Sequence, residues 1–177
     1  LPMPKISVEE VGIGNIAGGT TQDLIHIQRV DVAIDLWPLL KKQIKIKAIE
    51  LNHPHIFLEK LPSGQKNWTF TTLAPSQAES SSFPSTSSSN FEVALDKVII
   101  HNGNLTYHEK EKNIQVSDIN ASSKLDNLQG PYEIVGTLQA LGQDIKIDAK
   151  LGVLGEAQDV DLKAEVGKST IRLDGKA

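Results

Sequence analysis

With 177 residues the chain is long enough for one domain or two small ones, and its 39% apolar content becomes ordinary once the 13 glycines are counted. A net charge of −4 without a long basic run argues against nucleic acid as the main partner. The lack of cysteine excludes disulfides, thiolate metal sites and thiol nucleophiles, and no run reaches the roughly 18 apolar residues of a membrane-spanning helix.

Alternation with a period of two begins almost at once. Ile6 and Val8 alternate with Lys5, Ser7 and Glu9, and Val30, Val32, Ile34 and Leu36 with Asp31, Ala33 and Asp35. Ile44, Ile46 and Ala48 alternate with Lys45 and Lys47. Such runs predict strands with one wet and one apolar face. The stretch Leu36 to Gln43 carries Pro38 where a first helical turn tolerates it and Lys41 and Lys42 near its end. It predicts one short connector helix near residues 37–43, packed on the sheet's apolar face.

Ile49-Glu50-Leu51-Asn52-His53-Pro54-His55-Ile56-Phe57-Leu58-Glu59 lines up with Val98-Ile99-Ile100-His101-Asn102-Gly103-Asn104-Leu105-Thr106-Tyr107-His108, forty-nine residues later. In each copy an apolar strand is expected to enter a polar turn holding Pro or Gly, then a second strand. A repeat of this size is one supersecondary unit that needs a neighbour to bury its apolar face. Residues 71–90 hold eight serines and two prolines without periodicity, which reads as a flexible linker or loop. The expected organisation is a first β unit at 1–70, this linker at 71–90, and a second β unit at 91–177.

The second unit continues the alternation through Tyr132, Ile134, Gly136 and Leu138, then Ile145, Ile147, Ala149 and Leu151. Val160, Leu162, Ala164 and Val166 follow, and Ile171 and Leu173 end it. Short turns at Leu141-Gly142-Gln143-Asp144, at 152–159 and at Gly167-Lys168 predict an antiparallel meander with an open last edge, available to further strands or a protein partner. The fold expected is all-β, mainly antiparallel, a curved and twisted meander that forms a repeating β-groove.

Catalytic chemistry finds little support. His53 and His55, with His101 or His108, lack carboxylates at ligand spacing, so no metal or other cofactor is expected. Glu9-Glu10, Asp31/Asp35, Glu109/Glu111 and Asp159/Asp161 fall on polar faces or turns, without the desolvated pocket an acid catalyst needs. Gly12-Ile13-Gly14-Asn15-Ile16-Ala17-Gly18-Gly19 precedes no helix and no Lys-Ser/Thr pair, so it reads as turn glycines and not as a phosphate loop. The triplets at Asn67, Asn104 and Asn120 are glycosylation acceptors only in a eukaryotic secretory pathway.

Taken in order, Ile6-Ser7-Val8-Glu9-Glu10-Val11-Gly12-Ile13-Gly14-Asn15, then Arg29-Val30-Asp31-Val32-Ala33-Ile34-Asp35-Leu36-Trp37-Pro38-Leu39-Leu40, then Ile44 to Leu51 resemble the AsmA family. Gly64-Gln65-Lys66-Asn67-Trp68-Thr69-Phe70 and Gly103-Asn104-Leu105-Thr106-Tyr107 continue that resemblance, with Val116 to Asn120 and Leu128 to Tyr132. It implies a non-enzymatic, repeating β-groove protein of the periplasm, anchored to the inner membrane by an N-terminal helix that would precede Leu1. It further implies a part in moving phospholipid toward the outer membrane. The partner expected is a phospholipid or other acyl-chain lipid. Its expected lining is Val30, Val32, Ile34, Ile44, Ile46, Leu105, Tyr107, Tyr132, Ile134, Leu138, Ile145, Ile147, Leu162 and Ile171. The competing expectation is a structural or protein-interaction module whose apolar faces pack shut. A carbohydrate-directed protein would need more aromatic platforms than four Phe, two Trp and two Tyr.

Overall fold

The computed structural model describes residues 4–38, 43–69, 92–125, 130–153 and 159–176. The elements are β1 (Lys5–Gly14), β2 (Asp23–Asp35), β3 (Gln43–Lys60), β4 (Glu92–Leu95), β5 (Lys97–Glu109), β6 (Lys112–Leu125), β7 (Tyr132–Ala140), β8 (Gln143–Leu151), β9 (Asp159–Val166) and β10 (Ser169–Lys176). They form one open, curled sheet in the order β1-β2-β3-β5-β6-β7-β8-β9-β10, with β4 also on β3. Extensive contacts run only between hydrogen-bonded neighbours. Among the described residues nothing forms a second layer.

Alternation makes the strands, and tight turns join them. Three connections are two-residue hairpins: Lys110-Glu111, Leu141-Gly142 and Gly167-Lys168. At the second, both Leu141 (φ 53°) and Gly142 (φ 72°) are left-handed, as a type I′ turn requires. All pairings are antiparallel except two: β3 runs parallel to both β4 and β5. The sheet is thus all-β and mainly antiparallel, as expected, with β7 to β10 a meander, and it runs parallel only where β3 meets β4 and β5. The two repeat copies lie side by side, and Ile49 opposite Val98 through Glu59 opposite His108 keep the sequence offset as their register.

The turns expected inside each copy are absent. β3 and β5 pass straight through His53-Pro54 and Asn102-Gly103, with His53 (φ 49°) and Asn102 (φ 51°) as isolated left-handed residues. Glu10 (φ 52°) in β1 and Asp118 (φ 49°) in β6 fall on the same transverse line of the sheet. At that line the apolar alternation skips one position in five strands: Val8 to Val11, Ile27 to Val30, Leu51 to Pro54, Ile100 to Gly103 and Val116 to Ile119. Two consecutive polar residues then share one face, as in a β-bulge, and apolar side chains stay on the other. Gly103 sits in this crease so tightly that a Cβ would come within 2.9 Å of Ile100 Cγ2 and 3.2 Å of Pro54 Cγ. Pro and Gly here mark a bend in a strand and not its end.

The connector helix expected near residues 37–43 is not formed in the described part. Leu36 bends the chain, 37–38 begin a tight turn, β3 already starts at Gln43, and 39–42 lie outside the described residues. Trp37 is 67% exposed. The boundary expected at 71–90 also lies outside them.

A single sheet buries little. Leu24, Pro54, Leu95 and Ala149 are the buried apolar side chains among those described. The accessible surface is 12963 Å², against roughly 8,500 Å² for a compact monomer of this mass.

Candidate functional site: an apolar face with one charged end

Register partners project to the same side of a sheet, so the pairings sort the strands into two faces. Ile6, Val32, Ile49, Val98, Ser123, Ile134, Ala149, Leu162 and Leu173 form one row across nine strands. Val8, Val30, Leu51, Ile100, Ala121, Gly136, Ile147, Ala164 and Ile171 form the next. Ile34 and Ile46 join this side because the register shifts beside Lys47. Ile44, Leu105, Tyr107, Tyr132, Leu138 and Ile145 fall on it too. Every residue expected to form the lining therefore shares one face.

In the middle strands that face is the more crowded one. Along β7 its residues are half-buried and on β8 Ala149 is 7% exposed, whereas Val135 on the other side is 50% exposed. At the outer strands Ile6, Val8, Ile171 and Leu173 of the same face are about as open as Val135 or more so. Crowding of a small side chain by its own-face neighbours is what the inner side of a curl produces. Small residues meet at β6 and β7, where a Cβ on Gly136 would lie 2.8 Å from Ala121 Cβ. Ser123 Oγ is buried there without a hydrogen-bond partner.

The opposite face is polar and tightly bonded. Asp31, 2% exposed, accepts from Arg29 Nε at 2.9 Å, from Asn52 Nδ2 at 3.2 Å and from Ser7 Oγ, with Lys5 Nζ at 3.5 Å. These bonds, Arg29 first and Ser7 next, hold its pKa down at about 2. A cavity of about 510 Å³ beside it is lined by Lys5, Glu9, Glu10, Gln28, Arg29, Asp31, Glu50, Asn52 and His53. Further crevices, of about 410 and 370 Å³, lie on this polar side at Asn113 to Ser117 and at Val135 to Asp148. Another, of about 590 Å³, opens at the sheet end around Pro131, Leu151 and Val160.

The histidines lie apart from any ligand set. His26 contacts Glu10 at 3.2 Å and Asp23 at 3.7 Å, and His55 Nε2 lies 3.2 Å from Thr106 Oγ1. Among the described residues no group of three or more His, Cys, Asp or Glu is placed to hold a metal ion. No helix there is long and apolar enough to cross a membrane.

Pattern reading missed two features. The first is Glu59, 1% exposed, which accepts from Asn15 Nδ2 at 2.8 Å, Thr20 N at 2.9 Å and Thr20 Oγ1 at 2.8 Å. Asn67, 2% exposed, completes the knot by accepting from Glu59 N and donating to Phe57 O and Asn15 Oδ1. This buries the first of the three glycosylation triplets. Nothing in local periodicity marks Glu59, because Asn15 and Thr20, which bond it, are 44 and 39 residues away.

The second is the charged end of the apolar face. Along β3 and β5 that face reads Leu51/Ile100, Pro54/Gly103, Ile56/Leu105, Leu58/Tyr107 and then Lys60/Glu109. Lys112 continues the row on β6, and Lys66 pairs back beside Lys60. Lys60 Nζ donates to Glu109 Oε1 at 2.8 Å, and Tyr107 Oη donates to Oε2 at 2.7 Å. Both bonds hold the Glu109 pKa at about 2, and Glu109 in turn raises those of Lys60 and Tyr107. Trp68 lies 5.8 Å from Tyr107, centroid to centroid, with Lys66 Nζ 5.7 Å from its ring.

Comparison with known proteins follows the same lines. AsmA family protein YhjG of Escherichia coli strain K12 is 24% identical over 110 residues, which is 62% of this chain and 16% of that protein. No solved structure matches the chain. The AsmA family model, by contrast, matches residues 1–177 in full, and the chain accordingly belongs to the AsmA family.

Proposed function

We propose that this chain is a non-enzymatic part of an envelope protein that carries phospholipid between the inner and outer membranes, its apolar face holding acyl chains. The observation that carries this reading is the apolar face itself, over which no second layer lies among the described residues. It runs through nine paired strands yet contributes almost no fully buried side chains. Apolar surface of such extent on a monomer marks a binding surface, and acyl chains need nothing beyond aliphatic contact and exclusion of water. Membership of the AsmA family supports an envelope role in lipid transport or outer-membrane assembly, with the chain lying in the periplasm. The chain spans 16% of the length of the YhjG relative.

Native mass spectrometry of the purified chain, with organic extraction of what accompanies it, tests the reading. Stoichiometric phospholipid, lost in Ile134→Asp and Ile147→Asp and kept in Ile134→Leu, is the expected result. A stable chain without lipid would overturn it in favour of a structural or interaction module.

A further inference from the structure

The apolar face is uncharged along every described strand except at one place. Lys60, Glu109 and Lys112 occupy adjacent strands in one register row, and Lys66 extends the row beside Lys60. Three lysines against one glutamate leave two positive charges in excess, on a chain whose net charge is −4. Glu109 engages Lys60 through a single bond at 2.8 Å, so the ammonium keeps donors for a further acceptor. One step inward stand Tyr107 and Trp68, rings whose apolar body and polar tip suit a boundary between hydrocarbon and water. Leu58 lies beside Tyr107 in the same row, and past them lie Leu105 and Ile56. The face thus passes from aliphatic to aromatic to cationic along one direction, the order in which an anionic lipid passes from chain to headgroup. Among the described residues no charge stands on this face at the other end of β3, where Ile44 and Ile46 lie beside Ile34 and Leu95.

We propose that the Lys66–Lys60–Glu109–Lys112 row seats the anionic phosphate headgroup of a lipid whose acyl chains run along the apolar face toward Ile44. This rests on the lipid-holding reading above and adds to it a headgroup class and an orientation. Glu109 acts as a positioning residue: it holds Lys60 and Tyr107 in place and limits how strongly the row attracts anions.

Calorimetry on the 177-residue chain at low salt, with three probes, tests it: dihexanoyl phosphatidylglycerol, dihexanoylglycerol and inorganic phosphate. The phosphatidylglycerol should bind about tenfold or more tighter than the diacylglycerol with the same chains, a ratio that shrinks as salt screens the row. Inorganic phosphate alone should bind far more weakly than either lipid. Lys66→Gln with Lys112→Gln should bring the ratio close to one at an unchanged denaturation midpoint, while Glu109→Gln should hold or raise it. A merely structural row would lower the midpoint in both variants and leave the ratio alone. Equal binding of the two lipids overturns the headgroup site and leaves the acyl-chain reading standing. Absence of binding by both overturns the two together. Phosphate bound as tightly as phosphatidylglycerol overturns the lipid assignment of the row.

Discussion

The Lys60 ammonium and the Glu109 carboxylate sit 2.8 Å apart across the parallel β3–β5 pair, in the charged row at one end of the apolar face. On the opposite face Asp31 plays a comparable part among Arg29, Ser7 and Asn52. Both carboxylates are held near a pKa of about 2, below ordinary values of 4.5 for Glu and 3.8 for Asp. A depressed folded-state pKa favours the fold above the unfolded value and loses that contribution as pH falls through the folded one. The urea midpoint should therefore be insensitive to these groups above about pH 5 and fall between about 4.5 and 2. Asp31→Asn with Glu109→Gln should flatten that decline. Parallel loss in the parent and the double variant would place its origin in other groups.

Glu59 is a buried carboxyl group that accepts hydrogen bonds from Asn15 and Thr20. Glu59→Ala strands three donors in a buried place and should cost on the order of 3 kcal/mol by urea denaturation. Glu59→Gln keeps one acceptor and should cost about half as much. Equal costs for the two would mean that packing, not hydrogen bonding, matters there.

The crease makes an unusual demand on His53. A non-glycine residue in the left-handed region costs about 1–2 kcal/mol, from which the greater backbone freedom of Gly in the unfolded chain subtracts. His53→Gly should stabilise by about 0.5–1 kcal/mol, and His53→Val should destabilise by at least about 1 kcal/mol. Thermal unfolding of the two variants decides it, since opposite signs are required.

Ile134 and Val135 are neighbours on opposite faces. Val135→Asp adds a charge to a wet surface and should change stability by no more than about 0.5 kcal/mol, with lipid retained. Ile134→Asp should lose the lipid. If both kept it, the cargo would be held elsewhere.

Much of the sheet was legible because period-2 alternation is strong in β1, β2 and β7 to β10, where Ile, Val and Leu mark one face. β6 was not: Ala121 and Ser123 give the apolar face small residues, and the close approach of Gly136 to Ala121 is the reason at that position. The 49-residue offset was visible, but its meaning was not. His53-Pro54 and Asn102-Gly103 carry turn chemistry, and only pairing on both sides of β3 and β5 keeps them within strands. Glu59, Lys60 and Lys112 read as ordinary surface charges, since their surroundings come from distant loops and register. β4, at four residues, is too short to stand out from its flanks.

Because spatial order follows chain order and each strand grips only its neighbours, the sheet has a mechanical grain. Pulled by its first residues, it should peel like a zipper, releasing the 10 residues of β1 and then the 13 of β2 before force reaches β3. There the load meets a strand of 18 residues gripped by both β4 and β5. Single-molecule traces should show small steps followed by one high barrier, which makes the repeat junction the protein's tensile anchor.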